Sequence, residues 1–239
     1  MSLFSYHLVR LPFFKALKAL IWPIKTKNIK GLIHSETLSV MVLGSPILSF
    51  SRFFSKEIVI FAQWENEEAL DRFLTFHEFG KVLSKGWFVK LNPIRQWGTI
   101  SGFQTPEFPP TPPDENHPVI AVTLARMKYT QIPRFIRWGR PAEKLVRDHP
   151  SATLALASVR YPNTISTFSI WKTQKEMTDM VKGHSKVPQP QRHIQAMKER
   201  ERKDFHFEFA TFRFTPTAES GSWKGQSHFI PQNRPQPCP

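Results

Sequence analysis

The residue types that could do chemistry crowd near the end of the chain, where His193, His206 and Glu208 fall in the run HIQAMKERERKDFHFEFATFRF, His193 to Phe214. Ala196, Met197 and Arg200 follow His193 at helical spacing, so the histidine opens a charged helix with a narrow apolar stripe. After Asp204 the period changes to two: Phe205, Phe207 and Phe209 share one face, and His206, Glu208, Ala210 and Phe212 the other. A strand of that kind can pack on helices and still line a cavity. The remaining histidines, at 7, 34, 77, 117, 149, 184 and 228, form no helical pair at metal-ligand spacing, and His77–Glu78 lacks the second histidine of a zinc helix. Nor is there a glycine-rich phosphate loop, a nucleophile elbow, an obvious carboxylate dyad or a serine triad. A lone histidine can still hold haem iron, because the porphyrin supplies the other four donors. His193 is therefore the candidate iron ligand, though it also reads as a solvated histidine at a helix start. His206 and Glu208 are candidates for delivering protons on the far side of such a group. Arg10 and Arg126 close short apolar strands, where a guanidinium either pairs with a carboxylate or polarised oxygen or simply meets water. Trp64 and Trp171 read as core anchors.

The elements that would position these residues come as two similar sets. SYHLVRLPFF (Ser5 to Phe14) resembles VTLARMKYTQIPRF (Val122 to Phe135), matching Arg10 with Arg126, and HSETLSVMVLGS (His34 to Ser45) resembles HPSATLALASVR (His149 to Arg160). IVIFAQWENEEAL (Ile58 to Leu70) resembles STFSIWKTQKEM (Ser166 to Met177), pairing Trp64 with Trp171. GWFVKL (Gly86 to Leu91) matches DFHFEF (Asp204 to Phe209), and GTISG (Gly98 to Gly102) matches GSWKG (Gly221 to Gly225). Five pairs in one order, offset by roughly 105 to 125 residues, indicate duplication. Each copy reads strand, helix, strand, strand, helix, strand. The first spans about Phe4–Val9, Pro12–Trp22, Leu38–Leu43, Glu57–Trp64, Glu67–Ser84 and Trp87–Asn92. The second spans about Val119–Arg126, Ile132–Arg147, Thr153–Val159, Ser166–Trp171, Gln174–Lys182 with Arg192–Arg202, and Phe205–Phe214. Asn66 and Thr173 sit where N-caps belong.

The expected fold class is therefore α+β: two tandem ferredoxin-like (βαββαβ) units forming one dimeric-α/β-barrel-type domain, with an interior pocket where the units meet. Residues 1–102 form the first repeat, 103–118 a Pro-rich connector, 119–225 the second repeat and 226–239 a disordered tail.

Composition bounds the rest. Apolar residues at 40% describe a globular chain, and 21 Phe against 3 Tyr suits greasy cavities or membrane contact better than polar recognition. The net charge of +14 admits an anionic membrane surface or nucleic acid as partner. Cys238, the one cysteine, excludes an internal disulfide framework and fits a reducing compartment. Leu11 to Ile24 is apolar with Lys15 and Lys18 interleaved, and Lys25, Lys27 and Lys30 follow. It is too short and too charged to span a bilayer, and reads as a first domain helix or an interfacial one. The expected location is cytoplasmic, with peripheral membrane contact.

TFSIW (Thr167 to Trp171), HIQAMK (His193 to Lys198), the final Ala-x-x-Arg-Phe (Ala210 to Phe214), GSWKG and GTISG together resemble the spheroidene monooxygenase-like proteins of carotenoid biosynthesis. The resemblance covers most of residues 5 to 230. It implies a haem-associated oxygenase acting on long apolar polyenes, with His193 at the histidine of the helix motif. Two prolines in HSKVPQPQR (His184 to Arg192) break the chain just before that histidine. Two alternatives remain. One is a cofactor-free monooxygenase or isomerase on the same barrel. The other is a non-enzymatic basic ligand- or RNA-binding module with an aromatic sheet face, against which stand the few tyrosines and the lack of an RNA-binding sheet signature.

Overall fold

Phe4, Tyr6 and Leu8 alternate with Ser5, His7 and Val9, and this pattern makes β1 (Leu3–Arg10), a strand that buries both faces. The chain, described over residues 2–24, 26–44, 56–111 and 113–232 by a computed structural model, continues as α1 (Phe13–Ile21), β2 (Leu32–Met41) and β3 (Glu57–Trp64). Then come α2 (Glu67–Phe76), α3 (Glu78–Leu83) and β4 (Trp87–Thr99), completing the first repeat. The second repeat is β5 (Val119–Met127), α4 (Ile132–Arg147), β6 (Ala152–Arg160), β7 (Thr164–Trp171), α5 (Gln174–Val181), α6 (Arg192–Arg202) and β8 (His206–Ser220). Lys25 and the tail beyond 232, with Cys238, lie outside the described residues.

The strands close into one antiparallel barrel in the order β1-β3-β2-β6-β7-β5-β8-β4. Each repeat contributes the ferredoxin-like order, and the seams are β2 against β6 and β4 against β8. The duplication is visible in the registers: Leu3 pairs with Trp64 as Val119 pairs with Trp171, seven residues before Arg10 and Arg126 respectively. Both tryptophans are buried, each donating its indole N–H to a serine hydroxyl at 2.8 Å, Trp64 to Ser5 and Trp171 to Ser169.

The expected helix over residues 67–84 is two helices. At His77 the backbone is extended, and its Nδ1 accepts from the Phe79 N–H, starting α3 as a new helix. Gly80 then packs on the α2 backbone so closely that a Cβ there would lie 1.9 Å from the Phe73 carbonyl oxygen.

The barrel interior is full. Phe4, Phe61, Phe212 and Phe214 fill one layer, with Phe103 of the connector packed against them. Tyr6 stacks on Phe168 at 3.9 Å, and Trp87 meets both Phe168 and Phe229 edge-on. Among the described residues, aromatic rings occupy the volume where the interior pocket between the repeats was expected. Closure also removes the open aromatic sheet face on which the RNA-binding alternative rested. Phe229 differs from the expected disorder after residue 226: it is buried, and its N–H and that of Ile230 donate to the Glu219 carboxylate. Helices cover the outer faces, so each sheet has two cores. No helix among the described residues is long and apolar enough to cross a membrane.

Alternate residues of β8 make the packing testable. Phe212→Ala, inside the barrel, is expected to cost about 3–5 kcal/mol in urea unfolding. Phe207→Ala, 64% exposed on the same strand, should cost about 0.5 kcal/mol or less.

Candidate functional site

With the barrel filled, the open space lies outside it. A cavity of about 550 Å³ sits between the outer face of the second repeat's sheet and helices α4, α5 and α6. Ala121, Thr123 and Thr211 form its floor, and Phe135, Met177, Met180, Met197 and Phe209 are among its walls. It is large enough for a drug-sized or cofactor-sized ligand, and its lining is mostly apolar with a few polar groups.

His193 and His206 both line it. His193 is brought there by the break that the prolines impose. Just past the end of α5, Gly183, with a φ of +70°, lets the chain reverse, and the Gln191 side chain donates to the Gly183 carbonyl. Helix α6 therefore starts against the end of α5, and the His193 Nδ1–H donates to the Val181 carbonyl at 3.2 Å. A carbonyl only accepts, so the proton sits on Nδ1 and Nε2 carries the free lone pair. Burial lowers the His193 pKa, while the Val181 carbonyl pulls the other way. The result is a neutral imidazole whose Nε2 has no hydrogen-bond partner among the described residues. Helix α6 is held over the cavity by Arg134 of α4, whose Nε donates to Glu199 at 2.6 Å and whose Nη2 donates to the carbonyls of Glu199 and Lys203.

His206 arrives by a bulge. Arg126 pairs with Glu208, but Met127 pairs with His206, so Phe207 is extra and the face of the strand changes there. His206 thus leaves the face it was expected to share with Glu208 and joins Phe209 on the outer one, ring to ring at 4.9 Å. Its Nδ1–H donates to Asp204 Oδ1 at 3.0 Å, and the same oxygen accepts the His206 backbone N–H. Burial brings its pKa down to about 4; the Asp204 carboxylate opposes this, whereas Arg200 and Lys128 add to it.

Glu208, Arg126 and Arg10 do not line the cavity, which corrects their expected place beside it. Arg126 donates to Glu208 at 2.8 Å and to buried Glu36 at 3.1 Å, Arg160 pairs with Glu36 at 2.7 Å, and Ser101 bonds Glu208. These groups neutralise one another in a structural network of ion pairs. Arg10 is exposed at the end of β1, opposite Glu57.

Arg213, which the sequence reading missed, does line the cavity. It lies over the Trp97 ring, as does Arg95, its cross-strand partner on the same face, and burial followed by Arg95 lowers its pKa. Among the described residues it has no carboxylate partner, so it is a cation available to an anionic group in the cavity. Arg200, over the Phe209 ring at 3.7 Å, is a second cation on the wall, already paired with Asp204 at 3.7 Å. Among the described residues no group of three or more His, Cys, Asp or Glu is placed to hold a bare metal ion.

No family model matches the chain, and no curated protein matches its sequence. Solved structures do align over most of it. An anthrone oxidase-like protein is 13% identical, with 92% of each chain covered and a TM-score of 0.34. A ferredoxin-fold protein from Listeria monocytogenes, related to antibiotic biosynthesis monooxygenases, is 13% identical over 91% of this chain and 97% of its own, at a TM-score of 0.31. A heme-degrading enzyme from Listeria monocytogenes is 12% identical over 89% and 99%, at 0.27. At these identities and TM-scores the likeness carries no argument about activity. The assignment to the dimeric α/β-barrel class rests on the strand order and the duplicated registers.

The burial of His206 gives the site a pH signature. His206 binds its proton near pH 4 when folded and near 6.5 when unfolded, so between those values the unfolded chain holds more protons. Stability is therefore expected to be full above about pH 6.5 and to fall as pH drops toward 4. Urea midpoints measured across that range should show the fall, and His206→Gln should make it shallower.

Proposed function

We propose that the protein is a haem-dependent oxidoreductase of the monooxygenase kind, with His193 as the axial ligand and an apolar substrate in the cavity under α4, α5 and α6. The observation that carries this reading is His193 itself: a half-buried imidazole whose Nδ1–H is held by the Val181 carbonyl, whose pKa is lowered, and whose Nε2 is left for iron. That is the arrangement in which a backbone acceptor fixes the tautomer and raises the basicity of a ligating histidine. The rest of the lining fits the group as well. Apolar walls suit a porphyrin face, and Arg213 and Arg200 suit its carboxylates.

Haem bound there would supply the activation of dioxygen or peroxide. The chain's own residues do the remaining work. Phe135, Phe205, Phe209 and the three methionines exclude water and favour a long apolar substrate, a carotenoid-like polyene being the one that the sequence motifs suggest. His206, oriented by Asp204 through Nδ1, keeps Nε2 bare in the cavity and can accept a proton there. Arg213 holds negative charge against the floor of the sheet.

The same His206–Asp204 pair supports a second reading. It could act as general base on a substrate that reacts with oxygen unaided, without a cofactor. Adding haemin to the purified protein separates the two. The haem reading expects a Soret band that saturates at one equivalent, that weakens more than about tenfold in His193→Ala, that returns with added imidazole in His193→Gly, and that survives in His206→Ala. Colourless protein with turnover, or a Soret band indifferent to His193, would overturn it in favour of the second reading.

A further inference from the structure

Helix α1 is apolar on two sides. Ala16 is buried against the sheet, and Phe13 and Leu20 are half-buried on the same side. At about 100° per residue, Phe14, Leu17 and Ile21 fall together on the adjoining side, roughly a quarter turn round from the buried one. They are 81%, 40% and 54% exposed, and Trp22, which ends the helix, is 66% exposed. A surface helix ordinarily turns polar residues to water, because the core takes only one face. Here three large apolar side chains share one exposed side of the helix, with Trp22 exposed at its end.

The charge around the patch has one sign. Lys15 and Lys18 border it on the side away from the sheet, both exposed, and Lys27 and Lys30 stand exposed just beyond. No Asp or Glu occurs before Glu36. Elsewhere on the molecule cations are commonly answered by carboxylates, as Lys90 is by Glu67 and Asp71, and Arg134 by Glu199. On α1 none of the described lysines has such a partner. An apolar stripe rimmed by unpaired lysines, with a tryptophan at its edge, matches the boundary of an anionic bilayer in both polarity and charge. The helix has nine residues, so it can lie in that boundary but not cross it.

We propose that α1 docks this protein on an anionic lipid surface, with Phe14, Leu17, Ile21 and Trp22 entering the headgroup boundary and Lys15, Lys18, Lys27 and Lys30 meeting the headgroups. The inference does not depend on the haem reading, since it concerns the other repeat and none of the cavity's residues. It adds a way for the protein to meet molecules dissolved in a membrane.

The test uses the full chain and two sets of vesicles, phosphatidylcholine alone and phosphatidylcholine with phosphatidylserine. Sedimentation should find the protein on the mixed vesicles, and roughly tenfold or more weaker binding on the neutral ones or in high salt. Phosphatidylcholine with brominated chains, added to the mixed vesicles, should quench the fluorescence lost in Trp22→Phe, because the other six tryptophans are less exposed. The double variants Phe14→Ser/Ile21→Ser and Lys15→Gln/Lys18→Gln should each cut binding by at least about tenfold while leaving circular dichroism and thermal unfolding unchanged. Three results would overturn the proposal. One is absence of binding to the mixed vesicles, and another is binding indifferent to both variants. The third is a dimer in solution that Phe14→Ser/Ile21→Ser dissolves, which would give the face to a second copy of the chain.

Discussion

Eight strands closing on themselves enclose a limited volume, and in this chain aromatic side chains take it. Phe4, Phe61, Phe168, Phe212, Phe214, Tyr6 and Trp87 all point inward and are buried. The connector and the chain's end contribute Phe103 and Phe229 to the same core. Such packing leaves nothing inside for a ligand, and it makes the barrel a rigid support. The cavity lies on the outer face instead, between sheet and helices. There the two repeats differ. In the first, Trp64, Phe73 and Leu70 knit α2 to the sheet. In the second, small residues of β5 and the divided helix α5–α6 leave the cavity open.

The division of that last helix is what gives the site its chemistry. A continuous helix from Gln174 would carry His193 far from Val181 in projection along its axis, since each residue advances about 1.5 Å. The turn at Gly183 and the prolines after it fold the chain back instead. The imidazole of α6 then reaches the last carbonyls of α5, which an α-helix leaves without intrahelical donors. One backbone acceptor thus satisfies a helix end and fixes a histidine tautomer at once. The second histidine depends on an equally local device, the extra residue Phe207, which turns His206 out of the barrel wall.

Much of this was legible in the sequence, and the losses have physical causes. Alternation at β1, β5 and β8, the caps at Asn66 and Thr173, and the paired Trp64 and Trp171 give the strand order of each repeat without coordinates. Alternation names two faces, however, and does not say which looks inward; the pocket was therefore expected inside the barrel. The bulge at Phe207 shifts parity by one residue, so His206 and Glu208 were read as neighbours when they face opposite ways. Arg126 looked available because its partner Glu36 lies ninety positions away in sequence. Arg213 was passed over because an arginine amid phenylalanines reads as an outward-facing residue. The outward face of this strand is the floor of the cavity. The break at His77 had a visible signal in Gly80, which only close helix-on-backbone packing would require.

The account turns on one imidazole being neutral, protonated at Nδ1 and bare at Nε2 inside the second repeat's outer cavity. Nitrogen-15 NMR of the ring, in protein free of any cofactor and with His193→Gln to assign the signals, reads this directly. The account predicts the Nδ1–H tautomer at neutral pH, with protonation displaced below the ordinary histidine range. An Nε2–H tautomer, or a freely titrating imidazolium near pH 6.5, would contradict it.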